Sequence, residues 1–355
     1  MEFEVTNEDA GDTRETGTVI AELPNGNLLV GWTQFASSQT NGRTSGVRVI
    51  EPDGTPVSNE LFPSGLSPSG DTLNPAIVAI SDTKFIIVEL VFDITTFNFD
   101  IVGRVLTLSG SILSAGPAVD LTPAGSKSSS GIDIAVTGSG KVVVATSLSP
   151  NSSNVTTVDI AVLDENLSVL TGFTQVSERD TNSPSGINVD TVGETAVVTW
   201  TQNNVGNTNV PALGQTVDIA ANGSILPFTR VDHVLRDDGD FGIGLRDTLV
   251  LDNGNVVILT NGGPDPEVNA LGDGDRLFVT IFNADLTSVV KATERVDQVD
   301  SVNGIDGGSL TAFDGGGFLV SFARKPTTGA NGFESEIYYR VYDNTYAPSG
   351  GEVLS

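Results

Sequence analysis

An apolar run, a short turn carrying Asn, Asp, Ser or Gly, and a second apolar run recur six times along the chain. The clearest copy is Thr18–Thr33, which turns at Pro24-Asn25-Gly26. Variant copies follow at Ala76–Val91, Ile132–Ser147, Asn188–Thr201, Thr248–Asn261 and Ser309–Ala323. Their second strands begin near Asn27, Lys84, Lys141, Thr195, Asn255 and Gly317, a spacing of about 60 residues. Each hairpin is followed by two more strand-like runs, beginning with Gly46–Ile50 and Asn59–Phe62 in the first copy. Four short antiparallel strands per repeat predict a six-bladed β-propeller. A sandwich would lack the period, and a solenoid would repeat at roughly 20–30 residues. No segment sustains a 3.6-residue apolar period, so helix should be nearly absent.

The period predicts one propeller over 1–355, with blades at about 16–65, 66–123, 124–178, 179–234, 235–298 and 299–355. The third runs of the later repeats are Ile101–Leu108, Val158–Leu163, Gln215–Ala220, Leu277–Phe282 and Ile337–Tyr342. The fourth runs are Ala118–Leu121, Phe173–Val176, Phe228–Val231, Thr293–Val296 and Glu352–Leu354. Residues 1–13 add an extra strand and loop, because Phe3 and Val5 alternate with acids. Both chain ends therefore offer a fourth strand for one edge. One of them either adds a ragged fifth strand or pairs with another molecule. The second case makes Phe3, Val5, Val353 and Leu354 interface residues of a head-to-tail polymer, held by main-chain hydrogen bonds.

Charge limits the partners. The net charge is −28, from 45 acidic and 17 basic residues. Nucleic acid and anionic membrane surfaces both need basic surface, so neither is expected. The longest apolar segments, Phe85–Val91 and Leu249–Thr260, fall far short of the ~20 residues of a membrane span. The first residues show no basic n-region and no apolar h-region. There is no Cys, so disulfides, thiolate metal sites and a Cys nucleophile are excluded. A repeat core of this size needs no such staple.

The long connections run from second to third strands and from fourth to first strands, and in an up-and-down blade both emerge at one end. That end is the expected binding face. Its densest acidic loops carry Asp237, Asp238, Asp240, Asp273 and Asp275. Clustered Asp oxygens around Gly suit Ca²⁺, which takes six to eight hard oxygen ligands. A solvated acidic loop gives the same sequence, and the twelve-residue calcium loop with its closing Glu is missing.

The catalytic inventory is thin. His233 is the single His, so a two-His or three-His metal site cannot form within one chain. No Gly-x-Ser-x-Gly elbow is present. His233 lies beside a predicted fourth strand, where an edge role is expected. Paired carboxylates for glycoside cleavage remain open, because Asp is abundant and no pair stands out. Trp32 and Trp200 share a repeat position, read here as common to Leu90, Thr146, Thr260 and Phe322. A column this apolar is expected to pack between blades.

The unit Leu23–Thr33, continued by Gly46–Pro56, resembles the propeller-like repeats of large bacterial surface and RTX-type secreted proteins. Asp314–Phe322 and Tyr339–Asp343 match that pattern, and Arg48, Arg104 and Arg340 fall at its Arg. The resemblance implies an extracellular bacterial setting and an adhesive or structural role. The calcium-bearing nonapeptides of such proteins are not in this chain. The reading is a non-enzymatic extracellular subunit that polymerises by strand addition. The alternatives are a propeller that binds a surface glycan and a glycoside hydrolase with loop carboxylates.

Overall fold

The computed structural model describes residues 15–35, 43–63, 72–93, 98–150, 156–178, 183–203, 211–236, 243–262, 276–297, 305–313, 315–324, 336–350 and 353–354. The chain is all-β, with no helix among the described residues, and its fold is a six-bladed β-propeller. By packing it divides into two compact units. One is Met1–Val176 with Ile219–Leu226, and the other is Ser177–Asp218 with Pro227–Ser355.

The first unit holds three blades. Blade 1 is β1 (Glu15–Glu22), β2 (Leu28–Phe35) and β3 (Arg43–Ile50). Blade 2 is β4 (Thr72–Ala79), β5 (Lys84–Asp93), β6 (Asn98–Ser109), β7 (Ile112–Ala115) and β8 (Val119–Asp120). Blade 3 is β9 (Ser126–Val136), β10 (Val142–Pro150), β11 (Thr157–Leu163) and β12 (Val169–Gln175). A single pairing of Phe99 with Ser128 joins blades 2 and 3 into one sheet.

The second unit holds the other three. Blade 4 is β13 (Ser183–Val192), β14 (Thr195–Asn203), β15 (Ala212–Asp218) and β16 (His233–Arg236). Blade 5 is β17 (Gly244–Val250), β18 (Val256–Gly262), β19 (Arg276–Phe282) and β20 (Val289–Arg295). Blade 6 is β21 (Ile305–Ala312), β22 (Phe318–Arg324), β23 (Glu336–Tyr342) and β24 (Val353–Leu354). All strand pairs are antiparallel and follow chain order within each blade, except that β7 and β8 of blade 2 both pair with β6.

The hairpin turns explain the repeat. The Leu23 amide bonds the Asn27 carbonyl at 2.8 Å, and the Gly26 amide bonds the Leu23 carbonyl at 2.8 Å. The same two bonds recur at Leu251–Asn255, Thr137–Lys141 and Phe313–Gly317. Gly26, Gly254 and Gly140 have φ of +83°, +83° and +75°, a region open to Gly without a Cβ penalty.

The core lies between consecutive blades. Blades 1 and 2 share Leu29, Val47, Val49, Ile77, Phe85 and Ile87. Blades 2 and 3 share Ile86, Val88, Ile134, Val142 and Val144. Blades 4 and 5 share Val197, Leu245, Val256 and Ile258, and blades 5 and 6 share Val257, Leu259, Leu310 and Phe318. Alternate residues of one second strand thus serve opposite neighbours, as the two-residue period of a strand dictates.

Two further devices join neighbouring blades, the first in both units and the second in the second unit. The first sits in the turn after the third strand, where Leu167, Leu286 and Tyr346 adopt φ of +66°, +60° and +64°. Non-Gly residues there carry strain. Each is buried against the preceding blade. Leu167 abuts Gly103 of blade 2, and Leu286 abuts Gly214 of blade 4. The Tyr346 hydroxyl accepts bonds from Asn253 (2.7 Å) and Asn255 (2.6 Å) of blade 5.

The second device lies on first strands. Asp190 Oδ2 accepts the Val250 amide at 2.7 Å, and Asp247 Oδ2 accepts the Leu310 amide at 2.7 Å. Burial pushes both carboxyls up to about 6, against the pull of the amides they accept; the Asp190 charge also raises Asp247. Both residues are half-buried by surface area, although their carboxyl groups are enclosed.

Two expected fourth strands differ. In blade 4 the strand is His233–Arg236 rather than Phe228–Val231, because Gln215 Oε1 takes the Val231 amide at 2.8 Å and delays the ladder. His233 therefore lies in the strand, opposite Gly214. In blade 1 the fourth strand shrinks to the bridge of Leu61 with Val47. Phe3 and Val5 lie outside the described residues. Val353 and Leu354 pair with Tyr339 and Tyr338 of their own chain.

Candidate functional site at the polar end of the blades

Most buried polar residues of the second and third strands collect at one end of the blades, where the long connections emerge. In the first unit these are Thr33, Thr44 and Ser45 of blade 1, Glu89 of blade 2, and Thr146, Ser147, Thr156 and Asp159 of blade 3. In the second they are Thr199, Thr201 and Gln202 of blade 4, and Thr260, Asn261 and Arg276 of blade 5, joined by Asp297 just beyond β20. The opposite end and the middle of the sheets are largely apolar. Buried polar groups cost free energy unless hydrogen-bonded, so their concentration at one end has to be compensated locally.

The compensation is visible. Thr146 Oγ1 donates to the Gly131 carbonyl at 3.0 Å. Thr201 Oγ1 accepts the Leu245 amide at 2.9 Å. Trp200 Nε1 donates to Gln202 Oε1 at 3.3 Å. Arg236 donates to Thr260 Oγ1 at 2.7 Å and lies 3.9 Å over the Phe278 ring. Asp297 accepts the Leu277 amide at 2.9 Å and pairs with Arg295 at 2.6 Å and Arg276 at 3.5 Å.

Every first strand carries a register irregularity near this end. In blade 2 it falls between Leu73 and Ala76, which pair with Leu90 and Val88. Glu89, between those partners, stands opposite the irregularity and pairs only with Val102 on β6. Bulges re-aim side chains and are over-represented beside active sites.

The register also corrects the aromatic column. Trp32 pairs with Gly46, Trp200 with Leu213 and Phe322 with Tyr338, and the matching residue of blade 2 is Glu89, not Leu90. The column reads Trp32, Glu89, Thr146, Trp200, Thr260, Phe322, and all six are buried. Its aromatic members pack inside the protein: Trp32 meets Phe62 edge-on at 6.3 Å, and Phe322 stacks on Tyr338 at 5.9 Å. Among these six positions Glu89 is the one carboxylate, and its exposure is 0%.

The expected calcium ligands Asp237, Asp238, Asp240, Asp273 and Asp275 lie outside the described residues. Among the described residues no cluster of three or more His, Cys, Asp or Glu could hold a metal ion. Among the described residues no helix is long and apolar enough to cross a membrane.

No family model and no curated protein matches the chain. Solved structures do. Ulvan lyase, a PL25 polysaccharide lyase solved bound to a GlcA(1-4)Rha3S unit, is 12% identical, with a TM-score of 0.57 over 96% of this chain and 86% of that one. The Trypanosoma rangeli sialidase, solved with sialic acid, is 13% identical, with a TM-score of 0.56 over 92% of this chain. This chain covers 54% of the sialidase. The Penicillium chrysogenum α-L-arabinanase, solved with arabinobiose, is 12% identical, with a TM-score of 0.50 over 96% and 80% of the two chains. The likeness is one of fold, and it runs to propeller enzymes rather than to surface-protein repeats. It overturns the expectation that the chain is not an enzyme. That expectation rested on a missing His pair and Ser elbow, and neither is required of a carboxylate-based glycosidase.

Proposed function

We propose that this protein is carbohydrate-active, binding a glycan at the polar end of the blades of its first unit, where Glu89 lies, and cleaving a glycosidic linkage there. The observation that carries this reading is the gathering of buried polar residues, several of them hydrogen-bonded, at the end where the long connections emerge. Sugar recognition uses such a surface, since each hydroxyl needs a fixed donor or acceptor. The propeller sialidase, lyase and arabinanase support it, each solved with a saccharide. Glu89 is the carboxylate we place in the cleavage step. In that step Glu89 gives its proton to the leaving glycosidic oxygen while a water molecule attacks the anomeric carbon. The strongly acidic composition suits an extracellular site of action in salty surroundings.

The test is a panel of neutral and anionic polysaccharides, scored for new reducing ends, for unsaturated products and for retention in affinity electrophoresis. At least one glycan should be retained and shortened. Glu89→Gln should abolish shortening and keep retention, and a fully active Glu89→Gln would remove Glu89 from the step. If no glycan is retained or cut by the wild-type protein, the reading fails.

A further inference from the structure

Three blades carry an arginine at one position of the third strand. Arg48 stands opposite Val30, Arg104 opposite Ile87 and Arg340 opposite Val320. Each guanidinium reaches main-chain carbonyls beside a fourth strand. Arg48 donates to Ser58, Arg104 to Gly116, and Arg340 to both Arg295 and Val296 of the preceding blade, at 2.9 Å each. Arg340 thereby fills the groove between blades 5 and 6, and it also pairs with Glu294 at 3.3 Å.

Blade 3 has Ala161 at this position, opposite Val144. A cavity of about 260 Å³ opens there, between blades 2 and 3. Ala161, Val144, Leu163 and Phe173 form its apolar wall. Asp120, Leu121 and Thr122 form its rim.

The rim matches the groove that Arg340 fills. The Leu121 amide bonds the Ile101 carbonyl as the Val296 amide bonds that of Leu277, both at 2.8 Å. Thr122 accepts the Ile101 amide as Asp297 accepts the Leu277 amide. Asp120 and Leu121 therefore correspond to Arg295 and Val296, whose carbonyls receive the Arg340 guanidinium. At the rim Asp120 replaces a cation by an anion. The surroundings are acidic too: burial raises the Asp100 carboxyl, and the Asp120 and Asp93 charges raise it further. A Cβ added at Gly172, on the same cavity, would meet nothing within 4 Å, so the space is open.

We propose that this cavity is a binding site for an alkylguanidinium group, which takes the place that the Arg340 side chain occupies in blade 6. The alkyl chain lies along Val144, Leu163 and Phe173. The guanidinium meets the Asp120 and Leu121 carbonyls and the Asp120 carboxylate. A charge-assisted, planar donor suits such a rim better than a point charge.

Isothermal titration of the full chain with agmatine tests this, with butylamine as the control and an acetylated Gly-Arg-Gly amide as a second ligand. Agmatine should bind more tightly than butylamine. Binding of agmatine alone assigns the site to a free small molecule, and binding of both guanidinium ligands assigns it to an arginine side chain of a partner. Ala161→Arg should fill the cavity from within, raise the unfolding temperature and abolish agmatine binding. Asp120→Asn, an exposed change that keeps an oxygen for the Thr122 amide, should weaken agmatine by about tenfold in a protein that still folds. The proposal is overturned if agmatine does not bind, if butylamine binds as well, or if the Asp120→Asn affinity is unchanged.

Discussion

Replacing Asp247 by Asn tests how the inner strands are joined. The carboxyl accepts the amides of Leu310 and Thr248 and lies 3.1 Å from the Ser309 hydroxyl. Burial raises it from 3.8 to about 6. Between those values the folded state binds the proton and the unfolded state does not. Stability therefore falls as pH rises from about 4 to about 6 and is level above that. A shift of about two units caps the effect near 3 kcal/mol, and partial exposure brings the expectation to about 1–3 kcal/mol. Asn cannot ionise; it keeps one of the two acceptor oxygens and turns an NH2 toward the other amide, a cost that does not vary with pH. Urea unfolding of both proteins from pH 4 to pH 8 gives the difference directly. Asp247→Asn should gain about 1–3 kcal/mol on the wild type as pH rises through the window, whatever its fixed offset. Taking the difference removes Asp53, Asp164, Asp285 and Asp343, whose lowered carboxyls act in the opposite sense near and below pH 4. A difference that does not change with pH, or that shrinks as pH rises, refutes the reasoning.

Gly46→Ala places a Cβ 2.4 Å from the buried Trp32 ring, so it should cost about 2 kcal/mol or more and shift the tryptophan fluorescence. Tyr346→Phe removes the oxygen that Asn253 and Asn255 share, and chemical unfolding should show a loss of about 1–2 kcal/mol. Arg340→Met keeps the stem and removes the bonds to Arg295, Val296 and Glu294. It should cost about 2–4 kcal/mol in the same assay, and a loss below half a unit would mean the groove repacks.

The hairpins were legible because their turns need Gly or Asn and their strands alternate. The fourth strands were harder. A two-residue strand such as Val119–Asp120 leaves no periodicity, and the Gln215 side chain moved the start of another. Glu89 was hidden by one residue. Alignment by the apolar run Phe85–Val91 puts Leu90 in the aromatic column, and only the strand register puts Glu89 there. Leu167, Leu286 and Tyr346 were invisible as left-handed residues, since no Gly marks them and the packing behind them holds the strain. The cavity at Ala161 could have been suspected from the missing Arg alone, but its rim required the neighbouring blade. The expectation of a non-enzyme was corrected by fold comparison, because the carboxylates of a glycosidase have no sequence spacing of their own.

The links within the second unit run in opposite senses along the chain. Carboxylates reach toward later residues, as Asp190 does to Val250 and Asp247 to Leu310. Turn side chains reach toward earlier ones, as Leu286 does to Gly214 and Tyr346 to Asn253. During synthesis, then, blade 5 leaves the ribosome with its own acid still waiting for a partner and its flank uncovered. Both are supplied only when the sixth blade follows. A chain released early would be impaired beyond the part it lacks, and quality control would meet it as a half-fastened sheet.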